Sequence, residues 1–191
     1  MFSEIKADTL DEQKESFTVG LIDGRPTILI SHDKVEGEAI SKNKGVMAMW
    51  KSSKYYTTLF ANDKLMPNKV ARCVEIAEKD TNIGLVYHNV LAHVDGAVYP
   101  IYYPPYDRLL LEQYHQSATP CAFYPKSTLE AMGAFEHTLT SYSEWDQWLR
   151  ITERYIAVHI PEILAECTIE DNVDDIEALR IVLERARQRK G

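Results

Sequence analysis

The run Tyr55-Tyr56-Thr57-Thr58-Leu59-Phe60 constrains the fold more than any other stretch of this chain. It is rich in β-formers and passes straight into the polar pair Asn62-Asp63. Pro67 then suits the first turn of a helix whose apolar stripe is Val70, Val74 and Ala77. A strand that hands over to a helix through a polar loop is the repeating unit of an α/β sheet. The loop stands at the carboxyl end of the strand, where open α/β sheets bind their ligands.

Other segments continue the alternation. Thr27-Ile28-Leu29-Ile30-Ser31 is an apolar run behind the turn residues Asp23-Gly24-Arg25-Pro26, and residues 37–51 place Ala39, Ile40, Val46, Met47 and Trp50 near helical spacing. Ile83 to Tyr87 reads as the next strand, and Asp95-Gly96 as a hairpin turn. Ser127-x-x-Glu130 and Ser141-x-x-Glu144 have capping-box spacing, which predicts two helix starts. A last helix is expected from Asp174 to Arg189, on the stripe Ile176, Leu179, Val182, Leu183 and Ala186. At 191 residues the chain fits one domain, 1–191, with residues 1–31 a divergent N-terminal segment and 174–189 a C-terminal helix.

Composition narrows the function classes. A net charge of −8 gives no broad basic field for nucleic acid. Cys73, Cys121 and Cys167 are far apart and never in a Cys-x-x-Cys pair, so sequence spacing predicts neither a disulfide framework nor a zinc knuckle, but reduced, packed thiols. The six histidines show no His-x-x-x-His spacing. No secretory start and no bilayer-length apolar stretch is visible, which points to a cytoplasmic protein without a transmembrane segment.

Chemistry concentrates in Ser143-Glu144-Trp145-Asp146-Gln147-Trp148-Leu149-Arg150. Glu144 falls in a first helical turn, where the helix dipole favours a carboxylate and where it could act as a base or simply as a cap. Trp145 and Trp148 share one stripe, suited either to stacking on a sugar face or to a core. Arg150 is spaced to pair with Asp146 at i, i+4. Tyr99-Pro100-Ile101-Tyr102-Tyr103-Pro104-Pro105-Tyr106 offers flat rings and hydroxyls on a stiff backbone, again suited to a glycan or to packing on itself.

This helix resembles the acidic-Trp-Asp-x-Trp-Leu-Arg signature of family 2 glycosyltransferases. Leu59 to Lys69 looks like that family's aspartate-rich motif with its trailing Pro67-Asn68-Lys69. Ser41-x-Asn43-x-Gly45, Gly84-Leu85-Val86-Tyr87, Thr119-Pro120 and Gly133-Ala134-Phe135-Glu136 are similar to family landmarks in the family's order, from about His32 onward. The resemblance implies an α/β fold: a partial A-type glycosyltransferase, Rossmann-like mixed sheet flanked by helices. It implies transfer of a sugar, with inversion, from a nucleotide-diphosphate donor to a glycan or other hydroxyl acceptor. Glu144 would be the catalytic base, Asn62 and Asp63 the diphosphate contacts, and Trp145, Tyr102 and Tyr103 the acceptor contacts. Asp63 and Glu170 would be ligands of Mn²⁺ or Mg²⁺.

The chain departs from the family where Phe60 and Asn62 replace aspartates, which weakens the expected hold on a hard cation because an amide offers only a neutral carbonyl. The family's first two strands, which hold the nucleotide, have no counterpart before His32. The alternative expectation is therefore a catalytically silent glycan-binding or assembly module. A bare sheet edge near Thr27–Ser31 would then be completed by a second copy or a partner protein.

Overall fold

A computed structural model describes residues 16–22, 24–31, 34–113, 121–139, 141–168 and 176–188. The elements run β1 (Ser16–Ile22), β2 (Arg25–Ser31), α1 (Glu38–Ala48), β3 (Tyr55–Thr57), β4 (Lys64–Leu65), α2 (Lys69–Ala77), β5 (Ile83–Val94), β6 (Ala97–Ile101), α3 (Arg108–Gln113), β7 (Phe123–Pro125), α4 (Lys126–Met132), α5 (Ser143–Ile151), β8 (Ile156–Thr168) and α6 (Ile176–Gln188). This is the expected α/β architecture, a mixed sheet with helices against it. No helix among the described residues is long and apolar enough to cross a membrane.

The main sheet has six strands in the order β3-β7-β5-β8-β4, with β6 paired to the far half of β5. β5 and β8 run parallel and form its spine, while the other pairs are antiparallel. Ile83 to Val90 of β5 are all buried, as a strand covered on both faces must be. The sequence marks only its first five residues as strand. The rest follows because Asp95 and Gly96 both adopt positive φ, 49° and 79°, the geometry that turns β5 tightly into β6. Pro161 falls where the register slips from His88↔Ile160 to Asn89↔Ile163, a place where a residue without an N–H costs no ladder bond.

Three expectations need correction. Residues Arg25–Ser31 are paired on one side only among the described residues, but in a separate two-stranded sheet with Ser16–Ile22 and not in the main sheet, whose strand path ends at β3 and β4. Neither Ser-x-x-Glu forms a capping box. α4 starts directly behind Pro125, with the Lys126 amide bonded to the Lys54 carbonyl at 2.9 Å, so Ser127 is already helical. α5 starts behind Tyr142, whose φ of 60° leaves Ser141 out of phase. Pro67 precedes α2 by a turn rather than lying inside it.

The larger core lies on one face of the sheet, around Leu85, Tyr87, Leu129, Trp145, Trp148, Leu149 and Ile151, with Val182 and Ala186 of α6 closing it. A second cluster under the other face holds Cys73, Val86, Phe123, Ile160 and Leu164. Gly84 is where the backbone of β5 meets the turn after α5: a Cβ there would lie 2.5 Å from Tyr155 Cβ. Gly84→Ala is expected to destabilise the chain by about 1–3 kcal/mol through overpacking, read as a lower urea midpoint at unchanged slope. An unchanged midpoint would show that the turn yields freely.

Candidate functional site

Side chains from α1, β3, α2, β5, α5 and β8 converge beyond the carboxyl end of β3. The Glu144 carboxylate does not cap its own helix; it reaches across to α1 and the β3 end. Its Oε1 accepts from Lys42 Nζ at 2.7 Å and from the Thr58 hydroxyl at 2.9 Å. Among the described residues no hydrogen bond falls on Oε2. The Lys42 ammonium also pairs with Glu38 and sits 5.0 Å from the Phe60 ring centre and 5.1 Å from that of Phe135. Both charged side chains are largely sequestered, at 9% exposure for Lys42 and 15% for Glu144. Low exposure strengthens such a pair and limits its motion.

Lys42 and Thr58 line a groove of about 610 Å³ between α1 and the end of β3, walled by Tyr55, Tyr56, Phe60 and Phe135. Glu144 is not among the lining residues and meets the groove through Lys42 and Thr58. Phe135 is held there by the side chain of Asn43, which donates to its carbonyl at 2.7 Å and accepts from its amide at 2.9 Å. Arg150 grips the same turn by donating to the carbonyls of Met132 and Ala134, and completes the expected pair with Asp146 at 2.8 Å. The Asn43 and Gly133–Glu136 landmarks are thus one structural unit.

Next to the groove lies a second polar group. Lys69 is fully buried, with its ammonium 2.6 Å from the Thr57 hydroxyl and 5.4 Å from the centre of the Phe123 ring. Burial lowers its pKa, against the nearby thiols of Cys73, Cys121 and Cys167, which favour its charge. The Thr57 hydroxyl in turn donates to the Cys121 carbonyl at 3.0 Å. One carboxylate oxygen of Asp63 accepts the Thr168 amide at 3.1 Å, and the other faces the Cys121 sulfur at 4.0 Å. Contact with Cys121 and burial push the Cys167 thiol far up, and the charges of Asp63 and Glu144 act the same way, so the two polar groups adjoin.

The fold places the remaining candidate residues differently. Trp145 is 1% exposed and its indole N–H donates to the Leu111 carbonyl at 2.6 Å, so its faces are committed to the core. Tyr103 packs against two core clusters, with its amide on the Asn89 side chain. Tyr102 is 70% exposed, and none of these three lines the groove. Asn62 is present at the loop through its carbonyl, which accepts the Thr168 hydroxyl at 3.4 Å. Glu170, His32, Thr119 and Pro120 lie outside the described residues. Lys42, Thr58 and Lys69 were not singled out as site residues, because a lysine or threonine in a helix or strand carries no spacing signal.

The surroundings of Asp63 bear on one half of the expected Mn²⁺ or Mg²⁺ site, since Glu170, the other expected ligand, lies outside the described residues. Its neighbours are two thiols, with all three ligand atoms within 4.8 Å of one another. Hard divalent cations take oxygen donors, and sulfur is a poor substitute. Among the described residues this donor set is softer than either ion prefers.

His88, fully buried in β5 beside this group, donates from Nδ1 to the Asn89 carbonyl at 2.9 Å and leaves Nε2 without a hydrogen-bond partner among the described residues. Burial above all, with the Lys69 charge and His159 adding to it, pushes its pKa down from 6.5 to about 4. The folded imidazole therefore stays neutral while the unfolded one takes up a proton below about pH 6.5. Stability should fall by about 3 kcal/mol as pH drops from about 6.5 to about 4. Urea unfolding at several pH values checks this: His88→Leu should flatten that decline, and an unchanged slope would show that His88 does not carry it.

No family model matches the chain, and no curated protein matches it. Among solved structures it is similar to the crystal structure of S. aureus TarS 1-349, with a TM-score of 0.56 at 10% identity over 76% of this chain and 43% of that one. The same protein in complex with UDP matches at 0.56 and 12% identity, over 77% and 44%. A further structure of TarS matches at 0.56 and 11%, over 77% and 27%. The chain spans less than half the length of each. At these identities the likeness bears on architecture alone, and the architecture is glycosyltransferase-like.

Proposed function

We propose that this chain handles sugars as a glycosyltransferase does, with an acceptor hydroxyl presented to Glu144 from the groove between α1 and β3. The observation that carries this reading is the state of the Glu144 carboxylate. It is ionically oriented by Lys42, it already takes a hydroxyl hydrogen bond from Thr58, and its Oε2 has no hydrogen-bond partner among the described residues. In the reaction the acceptor O–H would donate to Oε2. The oxygen would attack the anomeric carbon of a nucleotide-diphosphate sugar as the bond to the diphosphate breaks, leaving the proton on Glu144 and inverting the anomeric centre. The aromatic walls of Phe60, Phe135, Tyr55 and Tyr56 suit the apolar faces of a pyranose, and the volume holds a sugar ring.

The neighbouring fold with UDP bound makes UDP the first donor fragment to try. Calorimetric titration with UDP and with UDP-sugars, alone and with Mn²⁺, tests the reading, since a ligand of the native state also raises apparent stability. No binding by any of them, together with no transfer to simple glycosides, would overturn it. A catalytically silent glycan-binding module is the second reading, favoured by the Lys42 contact on the same carboxylate, which gives Glu144 a structural partner on another helix. Glycan binding without donor binding would select that reading. The outer side of β3 suits completion by a second copy or a partner strand, which a concentration series in light scattering would reveal.

A further inference from the structure

Two of the three cysteines, distant in sequence, meet at Asp63. Cys167 is the last residue but one of β8, opposite the loop that leads into β4; the register Lys64↔Glu166 carries Asp63 to the level of Cys167. Cys121 enters from the segment before β7 with a left-handed φ of 64°, an uncommon conformation for a residue with a side chain. Both thiols are buried, at 2% and 1% exposure, whereas Asp63 is partly exposed. The three ligand atoms lie within 4.8 Å of one another.

We propose that Asp63, Cys121 and Cys167 form a binding site for a thiophilic divalent cation, Zn²⁺, on the solvent-reachable side of the buried sulfurs. Tetrahedral zinc holds sulfur at about 2.3 Å and carboxylate oxygen at about 2.0–2.2 Å, which separates ligand atoms by about 3.5–3.8 Å. The observed cluster closes onto that geometry if its ligand atoms draw together by up to about 1 Å, within the reach of side-chain rotation. The Thr168 amide already orients the carboxylate from outside, as ligating carboxylates require. Three protein ligands leave a fourth position for water or a ligand.

Charge supplies an independent argument. Lys69 is fully buried, its one hydrogen bond goes to a neutral hydroxyl, and no carboxylate lies within ion-pair distance of it among the described residues. A buried ammonium with no counter-charge is costly. Two thiolates and one carboxylate around Zn²⁺ sum to a net charge of −1, and the Lys69 ammonium balances it. On zinc binding the two thiols release their protons to solvent, so the exchange is balanced without any oxidant.

The test uses the full chain, purified under reducing conditions, loaded with Zn²⁺ and gel-filtered with a weak chelator. The expected result is about one zinc per chain by elemental analysis. Replacement by Co²⁺ should give the visible bands of a tetrahedral site and a near-ultraviolet sulfur-to-cobalt transition. These should be lost in Cys121→Ser and in Cys167→Ser and kept in Cys73→Ser, whose thiol lies in the separate cluster under the sheet. Wild type guards against variants that fail to fold: Zn²⁺ should raise its Tm by about 5–10 °C where millimolar Mg²⁺ does not. Absence of retained zinc, an equal shift with Mg²⁺, sulfur-to-cobalt bands that survive both serine variants, or a Cys121–Cys167 disulfide under the same conditions would each overturn the proposal. None of these readouts depends on sugar transfer.

Discussion

Glu144→Gln should lower any sugar transfer by this chain by about 10²–10⁴, the usual cost of losing a positioned general base. Glutamine keeps the shape of the side chain and can still accept from the Thr58 hydroxyl, so the fold is little disturbed. Lys42 keeps its pairing with Glu38 and its place against the Phe60 and Phe135 rings. A structural role for Glu144 would give a different pattern. The carboxylate would then matter through its bridge to Lys42, and the loss would appear in unfolding midpoints and not in turnover. Initial rates with a UDP-sugar and a simple glycoside, set beside urea unfolding of the same variant, separate the two. Rates within about threefold of wild type would exclude Glu144 as the base. A companion variant, Thr58→Val, removes the competing hydroxyl and should leave the rate within about tenfold, because Thr58 orients the carboxylate and takes no proton.

The parts of this fold legible in the sequence are those where local chemistry and tertiary placement agree. The β-former run at Tyr55, the Asp95-Gly96 turn and the apolar stripe of α6 each announce an element that exists, although β3 ends at Thr57 and Asn62-Asp63 stand directly before β4 and not at the end of the strand they were expected to close. The far half of β5 was not legible, because its burial comes from pairing with β8 and not from any local pattern. The capping boxes misled for a related reason: Glu144 has a better partner in Lys42, on another helix, than in its own backbone. At the candidate site, the resemblance named Glu144 and Asp63 but could say nothing of what surrounds them. The thiols of Cys121 and Cys167 stand 46 residues apart in sequence by simple subtraction, and only the pairing of β8 with β4 and the placement of the segment before β7 bring them to one carboxylate. Likewise Lys69 looks like an ordinary solvent-facing helix residue until α2 is docked, when it becomes a fully buried cation.

Trp148→Ala should be the most damaging single change to the fold, at about 3–5 kcal/mol. The indole is fully buried, its ring centre is 5.2 Å from that of Tyr87, and its N–H donates to the Tyr124 hydroxyl at 3.0 Å. Truncation removes the ring from the junction of α5 with β5 and β7 and leaves the Tyr124 oxygen short of a donor, so cavity and polar costs fall at one place. Against a domain stability of about 5–15 kcal/mol this approaches a substantial share of the total, and Tm should fall by about 10 °C or more. Trp148→Phe keeps most of the ring and loses the N–H, so it should cost markedly less. The comparison also decides what the paired indoles of α5 are for. Stacking on a sugar requires an accessible face, and neither Trp145 nor Trp148 has one. If Trp148→Ala instead cost less than about 1 kcal/mol while weakening glycan binding, the indole would belong to the binding surface, and the packing of α5 on the sheet would have to open in solution to expose it.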